Sequence, residues 1–92
     1  MSALVLVKCL TGDMAGLEGR VIDRDNWSYV VDCLIPLLRG HRGCRFGAPG
    51  DVVRTRIDIG DVRILRRGLT RNYREGLAMA PPATKAAFGV PS

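Results

Sequence analysis

A chain of 92 residues builds one small hydrophobic core and leaves little room for a second. Its net charge of +5 is unevenly placed: residues 1–38 carry −2, residues 39–74 carry +7 from ten arginines against Asp51, Asp58 and Asp61, and in residues 75–92 Glu75 and Lys85 cancel. The chain has no apolar run of about 18 residues or more, which argues against a membrane-spanning helix and a membrane partner. An odd set of cysteines (Cys9, Cys33, Cys44), with no secretory signal read, points to a reducing, cytoplasmic setting.

Ala3 to Leu10 is rich in valine and leucine and reads as a strand. Gly12 to Gly19 follows as a tight, shaped turn, because clustered glycines between two β-like runs tolerate positive φ and close backbone approach. Gly19 to Asp25 reads as the second strand, and Asp25-Asn26 as a turn. Trp27 to Ile35 is aromatic and β-branched and reads as the third strand, ended by Pro36, which cannot donate to a ladder. Alternation puts Trp27 and Tyr29 on one face with Val31 and Cys33, so one of the two aromatics is expected in the core.

Residues 36–51 hold four glycines and two prolines and read as a long loop. Val52 to Ile59 alternates cleanly, with Val53, Thr55, Ile57 and Ile59 on one face and Arg54, Arg56 and Asp58 on the other. Gly60-Asp61 turns the chain into a last short strand, Val62 to Leu65. The pattern predicts an all-β fold, a five-stranded barrel over residues 1–67 with the loop insertion 36–51. The expected core is Val5, Val7, Val21, Val31, Ile57, Ile59 and Val62. Residues 68–92 read as a partly ordered C-terminal arm or tail, with room for a brief helix over Arg71 to Met79 and a half turn over Thr84 to Phe88.

The stretch Leu10-Thr11-Gly12-Asp13-Met14-Ala15-Gly16-Leu17-Glu18-Gly19-Arg20-Val21, led in by an apolar strand, resembles a KOW motif. The run Thr55-Arg56-Ile57-Asp58-Ile59-Gly60-Asp61-Val62-Arg63-Ile64-Leu65 resembles the closing strands of a NusG carboxy-terminal domain. The resemblance implies a small SH3-like barrel. In that family such barrels bind a small-subunit ribosomal protein or the termination factor Rho, and the ribosomal members bind RNA. Two departures stand out: the polymerase-gripping amino-terminal domain of NusG is absent, and the loop 36–51 is much longer than the usual hairpin. The first argues against a general elongation role. The second points to a specialised contact surface, since long loops on a rigid barrel often carry function.

Twelve of the fourteen basic residues are arginine, a side chain suited to bidentate phosphate and carboxylate contacts and to stacking on bases. Arg39, His41, Arg42, Arg45 and Phe46 mix cations and an aromatic in the loop, a combination that tracks phosphates and stacks a base. Arg54 and Arg56 extend this patch on the solvent face of the fourth strand, and Arg63, Arg66, Arg67, Arg71 and Arg74 carry it further. The expected partners are RNA or a nucleoprotein complex, or an acidic protein surface of the ribosome or transcription machinery. A small phage- or mobile-element-type inhibitor of a host complex is the alternative reading.

No enzyme, cofactor or metal is expected. His41 and Cys44 form a His-x-x-Cys with Cys33 upstream, but structural zinc takes four ligands, usually in close pairs. His41 is the sole histidine, no phosphate-binding Gly-x-x-x-x-Gly-Lys-Ser/Thr occurs, and Asp23 and Asp25 read as solvated turn acids. The Val-Gln-Ile-Tyr segment associated with barrel-type, trimethoprim-resistant dihydrofolate reductases is missing.

Overall fold

Residues 4–90 are described by a computed structural model. The elements in chain order are β1 (Leu6–Cys9), β2 (Glu18–Arg24), β3 (Ser28–Leu34), β4 (Val52–Asp58), a 3-10 turn (Ile59–Asp61), β5 (Val62–Ile64), α1 (Arg71–Ala78) and α2 (Pro82–Ala87). The five strands form one antiparallel sheet in the order β4-β3-β2-β1-β5. β3 and β4 pair along their whole length, from Ser28 opposite Asp58 to Leu34 opposite Val52. A bulge between Val21 and Asp23 breaks the β2–β3 register. The expected start of the first strand at Ala3 lies outside the described residues.

The sheet is open but must curl. Its outer strands, β4 and β5, are joined only by the short turn Ile59–Asp61. In a flat sheet, outer strands four spacings apart stand about 19 Å from each other. The chain from Asp58 to Val62 reaches at most about 15 Å.

The glycine turn works in two ways. Gly12 and Gly16 take left-handed backbone (φ 80° and 89°), and the loop closes where Gly16 N–H donates to the Cys9 carbonyl at 2.8 Å. Gly19 serves a different purpose. It lies in β2 between Val7 of β1 and Cys33 of β3, and a β-carbon there would run into the Asp32 carbonyl.

Val7, Cys9, Val31, Cys33, Leu34 and Ile35 are fully buried. Of the expected core, Val5, Val21, Ile57 and Val62 are half-buried against that cluster. Ile59 is also half-buried, but belongs to the 3-10 turn and not to β4. The alternation of β4 is as read: Val53, Thr55 and Ile57 turn inward while Arg54, Arg56 and Asp58 face solvent.

The segment after Arg66, read from sequence as an arm or tail, is built into the core as far as it is described. Leu69, Tyr73, Leu77, Ala80 and Phe88 all join the buried cluster. Leu69, Tyr73, Leu77 and Ala80 recur at helical spacing, and docking of α1 buries that stripe, while Phe88 packs in from the end of α2. α1 is held at three further points. Thr70 donates its backbone N–H and its hydroxyl to the Glu18 carboxylate, at 2.8 and 2.7 Å. The Tyr73 hydroxyl donates to the Gly16 carbonyl at 2.7 Å. Gly76 lets the helix approach the backbone of Ile35, Pro36 and Leu37, where a β-carbon would sit 2.5 Å from the Ile35 carbonyl oxygen. α2 begins at Pro82, earlier than the expected half turn, because proline suits a first helical turn. Among the described residues no helix is long and apolar enough to cross a membrane.

Candidate nucleic-acid interface

The loop 36–51 is two successive tight turns and not an unstructured excursion. Its base is closed by Ile35 N–H to the Asp51 carbonyl (2.9 Å) and Gly50 N–H to the Ile35 carbonyl (3.0 Å). Leu38 bridges to Arg42 around a corner made by Gly40 and His41, both with positive φ (79° and 60°). Cys44 bridges to Gly47, and the Asp51 carboxylate accepts the Ala48 N–H at 2.9 Å. Arg39, His41 and Arg42 project from the first turn into solvent.

Phe46 is not the free stacking surface expected from the sequence. Its ring is half-buried against the core, and the Arg45 guanidinium sits over it, 4.6 Å from the centroid. Arg45 also donates to the Asp13 carbonyl at 3.3 Å. The pair Arg45–Phe46 therefore ties the loop to the glycine turn.

Arg54 and Arg56 do face outward on β4, but each meets an acid. Arg54 donates to Asp32 at 3.0 Å, and Asp32 raises its pKa through that bond. Asp32 is itself nearly buried, with Arg20 opposite it on β2. Arg56 donates to Asp25 and to the Ser28 hydroxyl, at 3.0 and 2.9 Å. The Asp25 carboxyl is held below the usual carboxylate range by the backbone N–H groups of Trp27 and Ser28, with a smaller contribution from Arg56. Arg71 pairs with Glu75 at 3.0 Å along α1, and Arg74 donates to the Leu69 carbonyl at 3.0 Å.

What remains is a smaller set of cations. Arg39 and Arg42 of the loop, Arg63 of β5, and Arg66 and Arg67 of the following turn are exposed. None of them has a hydrogen-bond or ion-pair partner among the described residues. Arg66 and Arg67 occupy the corner of a turn closed by Gly68 N–H to the Leu65 carbonyl at 3.2 Å. Arg63 stands directly opposite Lys8 on β1. Lys8 also faces Glu18 on β2, so Arg63 is the outer member of this row of charges.

Of the two aromatics of which one was expected in the core, Trp27 is the one that stays outside. It is 80% exposed at the tip of the β2–β3 hairpin, and Tyr29 is the aromatic that packs against the core. The signal was present: the Asp25-Asn26 turn delays β3 to Ser28, so Trp27 belongs to the corner and not to the strand.

The cysteines and His41 do not share a site. Cys9 and Cys33 are buried with their sulfurs 3.8 Å apart. The hydrogen bond to Cys9 and burial both push the Cys33 thiol up. Among the described residues, no three His, Cys, Asp or Glu side chains converge as a metal site would require.

Concavities lie both on the sheet and between the loop and α1. One, of about 350 Å³, lies between Thr11–Met14 and Thr55–Asp58. Asp13, Asp58 and Asp61 line it, which makes it a poor seat for phosphate. The other, of about 570 Å³, lies between residues 37–41 and α1 and carries Arg39, His41 and Arg71.

No family model matches this chain, and no curated protein or solved structure matches it either.

Proposed function

We propose that this protein is a non-enzymatic, KOW-like binding module that contacts RNA through an arginine-rich face, as part of a transcription or translation complex. The observation that carries the reading is the set of exposed arginines with no internal partner: Arg39, Arg42, Arg63, Arg66 and Arg67. Cations left unpaired by the fold are available to phosphates, whereas Arg54 and Arg56 must first exchange a carboxylate. The same reading gives the curled sheet the SH3-like barrel type. The strand order β4-β3-β2-β1-β5 and the one-turn link between β4 and β5 support it. Three free cysteines suit the cytoplasmic setting that goes with such a role.

The test is binding of a labelled single-stranded RNA twelve-mer, followed by fluorescence anisotropy across a salt series. Five phosphate contacts give a slope of log K against log salt of about −3.5 on a single strand. The variant Arg63→Ala/Arg66→Ala/Arg67→Ala makes the slope shallower by about 2 and leaves the fold intact. Salt-independent binding, or no binding below physiological salt, removes the RNA reading.

Trp27 favours a second reading, NusG-like protein–protein interaction or inhibition of a host complex by a phage-type protein. A solvent-projecting tryptophan is a strong anchor for a protein partner. Its hairpin carries Asp23 and Asp25 as well as Arg24, a mixed-charge tip better matched to protein than to phosphate. Capture of one partner from host lysate, insensitive to nuclease and lost in Trp27→Ala, supports that reading over the first.

A further inference from the structure

We propose that the concavity between residues 37–41 and α1 is a phosphate-monoester site that takes the 5′-terminal phosphate of an RNA strand; the inference rests on the RNA reading for the source of the phosphate. The site is assembled from two parts of the chain. Arg39, Gly40 and His41 form one wall and Arg71, Asn72 and Glu75 the other, around a space of about 570 Å³. That volume lies within the range of small-ligand sites. Its two walls are joined where Leu37 N–H donates to the Asn72 carbonyl at 3.0 Å. The two walls are therefore tied to each other by the backbone.

The chemistry of the walls favours a dianion. The only carboxylate lining the cleft, Glu75, accepts from Nε of Arg71 at 3.0 Å. That bond engages Nε and leaves the two terminal nitrogens of the guanidinium without a partner among the described residues. The free end of that planar fork suits bidentate contact with phosphate. Arg39 faces it from the loop with no internal partner. A phosphate monoester, with a charge near −2 at neutral pH, satisfies two guanidiniums better than an internal diester, which carries −1.

The backbone gives an independent reason to read this corner as built. His41 is the one non-glycine residue among those described with positive φ. Left-handed backbone is unfavourable for a residue with a β-carbon, and such strain collects at binding sites. A second glycine beside Gly40 would make the turn without strain. The histidine instead places an imidazole, a hydrogen-bond donor, at the mouth of the cleft.

The experiment compares three probes: a 5′-phosphorylated RNA octamer, the same octamer with a 5′-hydroxyl, and free adenosine monophosphate. Anisotropy of 3′-labelled RNA reads the first two, and calorimetry reads the third. The phosphorylated strand is expected to bind about tenfold more tightly than the hydroxyl strand, the worth of one charge-assisted contact. Arg71→Ala and Arg39→Ala, from opposite walls, each bring that ratio close to one. Both side chains are on the surface (Arg71 is 83% exposed), so loss of fold is not expected, and circular dichroism checks it. Equal affinity for the two strands overturns the site and leaves the RNA reading standing. Binding of the free nucleotide alone, sensitive to Arg71→Ala, keeps the phosphate site and overturns its assignment to an RNA end together with the RNA reading. Binding of none of the three overturns both.

Discussion

Removing the Glu18 carboxylate should loosen the C-terminal helical segment that begins at Thr70. Glu18 is only 2% exposed, yet its two oxygens accept both the backbone N–H and the hydroxyl of Thr70, 52 residues away. Thr70 is the N-cap of α1, but its hydroxyl does not cap that helix. The helix start is anchored to β2 instead. Hydrogen bonds to a charged group contribute about 1.5–3 kcal/mol each. Glu18→Ala breaks two of them, strands the Thr70 donors and leaves a void, so the expected cost is roughly 3–5 kcal/mol. Thr70→Val removes only the hydroxyl bond and should cost about 1.5–3 kcal/mol. In the double variant the hydroxyl bond is lost once and not twice, so the two costs add to less than their sum by that bond's worth, about 1.5–3 kcal/mol. Urea unfolding followed by far-ultraviolet circular dichroism is the assay, because the sole tryptophan, Trp27, is already exposed and reports little on packing. With a urea dependence near 1.5 kcal/mol per molar, Glu18→Ala lowers the midpoint by about 2–3 M. A cost below about 1 kcal/mol, or strict additivity of the two changes, would refute the claim that this contact docks α1.

Tyr73 gives a pH prediction. Burial, with a further contribution from Glu18, pushes its hydroxyl up to about 12. An unfolded tyrosine titrates near 10, so the folded chain holds that proton more tightly. The resulting stability is complete below about pH 10 and is lost as pH rises through about 12, in all about 2–3 kcal/mol. Tyr73→Phe should flatten the alkaline limb of a stability–pH curve, at a cost near neutral pH of about 1 kcal/mol for the bond to Gly16. Gly19→Val drives a side chain into the backbone of β3 and should cost more than about 3 kcal/mol, read from thermal unfolding; an unchanged melting temperature would mean that the strands are not so close. Replacing residues 38–49 by Asn-Gly keeps the loop base at Ile35, Gly50 and Asp51 and so should keep the fold. Because Cys44 and Phe46 pack against the core, the shortened protein should lose about 1–3 kcal/mol by urea titration. Having lost Arg39 and Arg42, two of the five free arginines, it should also bind RNA more weakly, with a salt slope shallower by about 1.4; full affinity for RNA would leave the contact to Arg63, Arg66 and Arg67 alone.

The sequence by itself determined the features whose physics is local. Alternation along Val52–Asp58 marked a strand with one wet face, and the structure has that strand with that face. Glycines at positions 12, 16 and 19 marked the turn, since left-handed backbone and close approach each exclude a β-carbon. The excess of positive charge in residues 39–74 was likewise countable in advance. Which of those charges remain free was decided only by the tertiary structure. Strand register sets Arg54 opposite an acid 22 residues away, and the β2–β3 turn brings Arg56 one 31 residues away. The stripe Leu69, Tyr73, Leu77 and Ala80 was in the sequence, but a short, arginine-bearing helix with a glycine inside it is weak by propensity. It forms where β2 supplies Glu18 and the loop after β3 supplies a backbone surface close enough to need Gly76. Phe46 packs against the core instead of standing free, and Tyr29 rather than Trp27 is the buried aromatic, for the same reason. Exposure belongs to the packed molecule, and no residue's own chemistry states which neighbours will cover it.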